Sequence, residues 1–426
     1  MKLKNIVRLY LIIGVVFFAG NSWAQDTIRI TIHEAENLFL KQNLALIAEK
    51  MNINIADAEI IQAKVWENPT LTISDINLWT TDSQRGALRE MDANDNTQFA
   101  VELNQLITTA GKRRKEVAIQ KVSKEMAIQQ FGETLRGLKT ELRKSINELI
   151  YLQNYEPVLS GQVDLLAQLI NAYQRQVQDG NLSRAELLRL QSSSLEIENE
   201  LFQLKIELNA QLKTLKTLLH LPPASNIVIV ADTDKKEVGV PTLETLYSLA
   251  TENRPDMKLQ QLQSDWFDKT LRLEKAQRMP DITLAANYDR YAGIWKNYIG
   301  FGVSFDLPVF NRNQGNIKAA AFGLEQSRYL EQQVQNEIFN EIVEAYSNYE
   351  QSLKFYRKIA DNELFSELDT MLDVYAKNLL NRNVSYLEFI DFMETYQKSK
   401  QIFLETQKTV NNSFEELQYT IGIDIK

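Results

Sequence analysis

The side chains best suited to acid–base or metal chemistry are scarce in this chain. There are two histidines, His33 and His220, and no cysteine. A thiolate nucleophile, a thiolate metal site and a disulfide framework are therefore excluded. His33 stands at an expected helix start and His220 beside Leu221-Pro222-Pro223, so both read as structural or solvent-facing. The eight methionines show no paired spacing of a metal relay. Carboxylates are abundant, but they fall on long polar helix faces, where a solvated surface is the default. No phosphate-cradling Gly-rich loop, dinucleotide fingerprint or His-Glu-x-x-His occurs. No catalytic site, cofactor or bound metal is expected. A net charge of −9 argues against a nucleic-acid partner.

The elements that could position anything are long. Among 426 residues there are only 8 Pro and 15 Gly, so loops must be few. Hydrophobic residues make up 44% and charged ones 24%, enough to bury a core. Lys2, Lys4 and Arg8 precede the apolar run Leu9–Ala19, and Ser22-Trp23-Ala24 fits a small-x-small cleavage site. Residues 1–24 are thus expected to be a secretory signal peptide. Losing those three basic residues would take the charge from −9 to −12. No later run approaches 18 apolar residues, so an exported chain could enter a membrane only through β-structure.

The chain repeats itself. Thr31–Ile73 lies on Thr242–Leu284 at an offset of 211, and Asp179–Leu219 lies on Asn381–Ile421 at an offset of 202. The expected layout is a first repeat over 25–220, a connection over 221–241 and a second repeat over 242–426. Each copy orders a helix, two short strands, a very long helix and a medium helix. Helices are expected over 32–66, 109–178 and 183–219, and again over 242–278, 313–378 and 385–421. Ile227–Val230 could add a small strand in the connection. Seventy helical residues span about 105 Å, matching two medium helices laid end to end.

Two turns are marked. Asp179-Gly180-Asn181 ends the first long helix, with Gly at a natural C-terminal position. Ser183 with Glu186, and Ser385 with Glu388, have the Ser-x-x-Glu spacing of a capping box. Beyond the first box Leu187, Leu190, Ser194, Ile197, Leu201, Leu204, Leu208, Gln211, Leu215 and Leu218 follow the alternating three–four spacing of a coiled-coil seam. The charged groups best placed to latch this end are Asp179, Arg184 and Glu186 with Arg382, Glu388 and Asp391.

The strands alternate. Ile299, Phe301, Val303, Phe305 and Leu307 point one way, and Tyr298, Gly300, Gly302, Ser304 and Asp306 the other. Ile282, Leu284, Ala286 and Tyr288 do the same in the preceding strand, as do Phe99, Val101 and Leu103 in the first copy. The stretch Leu71–Trp79 is less regular. Hairpins are expected over 70–108 and 281–308, with Phe99, Val101, Leu103, Ile282, Leu284, Ile299, Phe301, Val303 and Phe305 toward lipid. Trp79, Tyr291, Trp295 and Tyr298 fall near the hairpin tips, as interfacial aromatics would. Four strands are too few for a membrane barrel, which needs about eight or more, so copies must share one.

Over its mature length the chain resembles the TolC family of outer-membrane efflux channels. The resemblance is carried by Asn68-Pro-Thr-Leu-Thr, by Gln105-Leu-Ile-Thr-Thr-Ala-Gly-Lys-Arg113, by Asn253-Arg-Pro-Asp256 and by Leu307-Pro-Val-Phe-Asn-Arg-Asn-Gln-Gly-Asn-Ile317. Two of these segments look most like the CzcC/CusC-like branch, which exports heavy-metal cations. The resemblance implies a mainly α protomer of two repeats. Three copies would form a twelve-stranded β-barrel in outer-membrane lipid above a coiled-coil α-helical barrel in the periplasm. It implies a homotrimer that works with a periplasmic adaptor protein and an inner-membrane pump of RND type. It also implies that the turns, with Asp179, Gly180, Asn181, Ser183, Arg184 and Glu186 in one and Arg382, Asn383, Ser385, Glu388 and Asp391 in and after the other, form the gate and adaptor contact. Many members of the metal branch carry a lipidated cysteine, which this chain lacks. The alternatives are a conduit for drugs or secreted polypeptide, and a periplasmic coiled-coil adaptor or scaffold.

Overall fold

The computed structural model describes residues 27–77, 98–230, 239–292, 295–360 and 364–425. The expected signal peptide and Trp79 lie outside them, as does the side chain of Tyr291. In chain order the elements are β1 (Thr27–Thr31), α1 (Ile32–Gln42), α2 (Leu44–Lys64), β2 (Thr70–Asn77), β3 (Gln98–Ile107), α3 (Lys112–Gln178) and α4 (Arg184–Leu218). After these come β4 (Asn226–Val230), α5 (Leu243–Asn253), α6 (Pro255–Ala276), β5 (Ile282–Ala292), β6 (Trp295–Ser304), α7 (Gln314–Ala360), α8 (Leu364–Leu380) and α9 (Tyr386–Ile421). The chain is mainly helical with a small sheet part. Among the described residues no helix is long and apolar enough to cross a membrane.

The duplication is visible in hydrogen bonds. The first helix of each copy, expected unbroken, is cut in two at equivalent residues. Asn43 sits between α1 and α2 and Arg254 between α5 and α6, both in extended backbone. Each is almost wholly buried. Asn43 Nδ2 donates to the Leu218 carbonyl at 2.9 Å, and Arg254 Nη1 to the Thr420 carbonyl at 3.1 Å. Leu218 and Thr420 are themselves equivalent at the offset of 202. A polar side chain therefore caps the last carbonyls of a later helix in both copies, and the break frees the backbone to aim it.

The chain divides into two compact units, each drawing on both repeats: 1–48, 134–254 and 338–426 in one, 49–133 and 255–337 in the other. The first unit holds the main core. Leu152, Leu159, Leu166 and Leu169 of α3 pack with Leu190, Ile197 and Leu204 of α4, Leu379 of α8, and Phe389 and Met393 of α9. The three–four seam is met: Leu190, Ser194, Ile197, Leu204, Leu215 and Leu218 are buried, and the remaining positions are half-buried. Tyr155 donates its hydroxyl to Glu200 at 2.8 Å, and Gln397 donates to the same carboxylate, tying α3, α4 and α9 together. Burial and the Glu200 carboxylate hold the Tyr155 phenol above its ordinary pKa. In the same unit Arg143 meets Glu36, Glu415 and Asp424 at 2.5, 2.9 and 2.9 Å. Burial would lower the Arg143 pKa, but the three carboxylates outweigh it and raise it. The small strands β1 and β4 pair in parallel, Thr27 opposite Asn226. β4 matches the expected strand, whereas β1 has no counterpart in the sequence reading.

The second unit holds a four-stranded antiparallel sheet of order β2-β3-β5-β6. Two boundaries differ from expectation here. The long helix starts at Lys112, not 109, because Ala110 and Gly111 take left-handed φ of 51° and 67°. Asp281 Oδ1 accepts from the Thr109 N–H at 2.8 Å, and Lys112 Nζ reaches the Met279 carbonyl at 2.7 Å and Asp281 at 2.9 Å. The Thr-Thr-Ala-Gly-Lys segment is thus a turn that pins the start of β5 to the start of α3. The other correction is that β6 ends at Ser304, so Phe305 and Leu307 lie beyond the strand. The irregular first strand has a bulge between Ser74 and Asn77, with Asp75 at φ 52°.

Candidate channel segments: the sheet and the hairpin turns

Register sorts the sheet into two faces. One carries the rows Leu71–Leu103–Ala286–Phe301 and Ile73–Val101–Tyr288–Ile299, with Leu284 opposite Val303. Phe99 joins it, its ring 5.7 Å from that of Tyr288. The other face carries Thr72–Glu102–Asn287–Gly300 and Thr70–Asn104–Ala285–Gly302. Apart from Gln105, opposite Leu284, and Leu106, opposite Thr283, apolar and polar side chains are therefore segregated, as two different solvents would demand. The apolar face is open: Phe301 is 87% exposed, Ile299 and Val303 66%, and Leu71 61%. The predicted residues Phe99, Val101, Leu103, Ile282, Leu284, Ile299, Phe301 and Val303 all lie on the strands at apolar-face positions. Leu71 and Ile73 belong to that face too, and a bulged strand hid them from the alternation test. On the polar face the Tyr298 ring covers Gly300, where an added Cβ would stand 2.4 Å from Asn287 Oδ1. Only glycine fits beneath that ring.

The two turns of the first unit are near copies. Asn181 N–H donates to the Gln176 carbonyl at 2.8 Å, and Asn383 N–H to the Asn378 carbonyl at 2.9 Å. Gly180 has φ 72° and its counterpart Arg382 φ 63°. These are paired helix-ending loops in which a left-handed residue satisfies the last carbonyls. Glycine takes that conformation freely, whereas Arg382 pays on the order of 1 kcal/mol. Arg382 Nη2 donates to Asn181 O at 2.7 Å and to Gln176 Oε1 at 2.9 Å, so the second turn is bonded to the first. Beside them Tyr173 is buried, and burial, with Glu186 nearby, raises its pKa.

The capping expectation divides. Ser385 accepts from Glu388 N–H at 3.3 Å while Glu388 accepts from Ser385 N–H at 2.8 Å, a full box. That bonding lowers the Glu388 pKa. Ser183 instead accepts from Ala185 N–H at 3.1 Å, one residue early, and Glu186 makes no return bond. A second full box, Thr31 with Glu34, starts α1. Of the six charged groups suggested for a latch, Arg382 bridges the turns and Glu388 caps its own helix. Asp179, Arg184 and Asp391 are exposed and Glu186 is half-buried. Gln176 and Tyr173 escaped notice because nothing local in the sequence marks a partner two hundred residues away. Among the described residues no group of three His, Asp or Glu is placed to hold a metal ion.

Comparison with known proteins matches these features. A family model described as outer membrane efflux protein covers residues 37–219 and 246–362. The cobalt-zinc-cadmium resistance protein CzcC of Cupriavidus metallidurans is 23% identical over 295 residues, covering 68% of this chain. The match spans 66% of that protein, just under two thirds of its length. Among solved structures, CusC superposes with a TM-score of 0.72 at 15% identity, covering 95% of each chain. The Campylobacter jejuni CmeC outer membrane channel superposes at 0.73 and 13% identity, covering 92% of this chain and 85% of that one. At such identities the superpositions speak for the fold, and the family match, over well more than half the chain, speaks for membership. The chain belongs to the outer membrane efflux protein family and is a protein of the outer membrane.

Proposed function

We propose that this protein is the passive outer-membrane conduit of a tripartite efflux pump, assembled as a homotrimer. One observation carries the reading: a four-stranded sheet with one apolar exposed face, whose outer strands β2 and β6 have no further strand partner among the described residues. Unpaired backbone groups are not tolerated in lipid, so the edges must be closed by further copies. Three copies of a four-stranded sheet contribute twelve strands. The helices support the same assembly. Leu188, Leu195 and Phe202 recur every seven residues on α4 and are exposed in the single chain, the spacing by which one helix seats on another. The polar sheet face would then line the lumen, and Phe99, Val101, Leu103, Ile282, Leu284, Ile299, Phe301 and Val303 would meet lipid.

Such a conduit performs no bond chemistry, and its energy comes from an inner-membrane pump reached through a periplasmic adaptor. The turns around Gly180 and Arg382 would form the end that closes and that meets the adaptor. Similarity to a cobalt-zinc-cadmium resistance protein favours heavy-metal cations as cargo. The test has three parts: reconstitution in planar bilayers, cross-linking of the outer strands between copies, and the metal sensitivity of a deletion strain. Trimer-specific cross-links between β2 and β6 together with ion conductance are expected. A soluble, monomeric, non-conducting species would overturn the conduit, whereas unchanged cobalt, zinc and cadmium sensitivity would overturn only the cargo.

A further inference from the structure

The sheet has one end where β2 begins, β3 stops, β5 begins and β6 stops. Register sets Thr70 opposite Asn104, Ile107 opposite Ile282 and Thr283 opposite Ser304. The segments entering and leaving it here are residues 61–69, 106–116, 274–281 and 305–318. They carry nine Lys or Arg against five Asp or Glu, a net of +4 in a chain whose net charge is −9. Four of the nine are consecutive, Lys112 to Lys115.

Most of this positive charge is unspent. Lys112 is buried against Asp281. The Arg113 guanidinium carbon sits over the Trp66 indole, 3.8 Å from the ring centroid, with no hydrogen-bond or ion-pair partner among the described residues. Arg114, Lys275 and Arg278 are exposed and equally without one. Apolar side chains interleave with them. Trp66 is 58% exposed, Met279 56% and Phe310 94%. Trp66, Lys112, Arg113, Glu116, Gln277 and Asp281 line a cavity of 270 Å³ at this level.

Exposed aromatics beside unpaired cations, where an apolar face gives way to a polar one, match the chemistry of a lipid headgroup layer. A guanidinium stacked on an indole keeps its N–H edge free and pre-oriented for a bidentate phosphate contact. We propose that this collar binds the phosphate of glycerophospholipids in the leaflet nearer the helices, preferring anionic headgroups, with Arg113 on Trp66 as the receptor. The inference rests on the reading of the sheet as a membrane segment. Charge complementarity selects the occupant, since a second copy of an acidic chain would bring the same cationic rim to the contact.

The test uses the full-length protein reconstituted in phosphatidylcholine bilayers doped with phosphatidylglycerol. Phospholipid classes retained on the purified particle are counted by native mass spectrometry. Wild type should retain phosphatidylglycerol above its bulk share. Each cation near an anionic surface is worth about fivefold in partitioning. The double change Arg113→Glu with Arg114→Glu should therefore bring retention down to the bulk ratio, and Trp66→Ala part of the way. The milder Arg113→Gln with Arg114→Gln guards against misfolding, and Lys213→Glu on α4 is the control expected to change nothing. If inserted double variants keep the enrichment, or the control loses it equally, the collar is overturned while the membrane reading stands. A wild-type protein that does not insert would overturn both.

Discussion

The guanidinium of Arg382 donates to the backbone carbonyl of Asn181 at 2.7 Å, joining two turns 201 residues apart. Arg382 also occupies the left-handed conformation that its counterpart Gly180 adopts without strain. An arginine held there at an energetic cost, when a glycine would form the turn unaided, points to the cross-turn bond as its purpose.

Arg382 variants separate the turn from the latch. Arg382→Gly should relieve up to about 1 kcal/mol of backbone strain while deleting both side-chain bonds. Its melting temperature should hold or rise while its basal conductance in planar bilayers increases. Arg382→Glu should leak further, by setting a carboxylate against the Asn181 carbonyl. Wild-type conductance in both variants would remove the latch from the mechanism.

Asn43→Ala should cost about 1–3 kcal/mol, because it strands the buried Leu218 carbonyl and the Leu46 N–H that the side chain accepts from at 2.9 Å. Thermal unfolding in detergent reads this directly. An unshifted melt would mean that water replaces the amide.

Gly323 allows α7 to approach α6 closely: an added Cβ would stand 2.4 Å from the Phe267 ring. Gly323→Val should destabilise by about 1–3 kcal/mol through overpacking. Adding Phe267→Leu should recover part of the loss. A double variant no better than the single one would show that the helices are not held apart by this pair.

Acid should release the C-terminal segment. Burial pushes the Asp424 pKa up, but Lys139 and Arg143 outweigh it and hold the folded value below the ordinary one. The stabilisation is therefore complete above the unfolded pKa of about 3.9 and fades as pH falls through the lower folded value. Hydrogen exchange near residues 421–425 should be flat from pH 8 to about pH 5, once corrected for intrinsic rates, and should rise below about pH 4. Asp424→Asn should show the rise at neutral pH, and protection indifferent to that change would contradict the clasp.

Much of this protein is written locally. The paucity of Pro and Gly, the three–four spacing from Leu187 to Leu218 and the alternation from Ile299 to Val303 state what each segment must bury, and so reveal helix, seam and strand. The Gly180 turn and the Ser385 cap depend on bonds within a few residues, and the duplication exposes both copies. The sequence could not show where one copy answers the other. Asn43 reads as one more polar residue in a helical run until Leu218 is brought to it. Ser183 and Glu186 have the spacing of a box that closes at their counterparts Ser385 and Glu388 but not between themselves. The Thr-Thr-Ala-Gly-Lys segment reveals its use only when Asp281 lies beside it. Tertiary structure alone decided the strand order, the bond from Arg382 to Asn181 and the approach of Arg113 to Trp66. Local patterning fixes which surfaces are apolar, whereas the pairing of distant groups depends on a chain closure that no local spacing records.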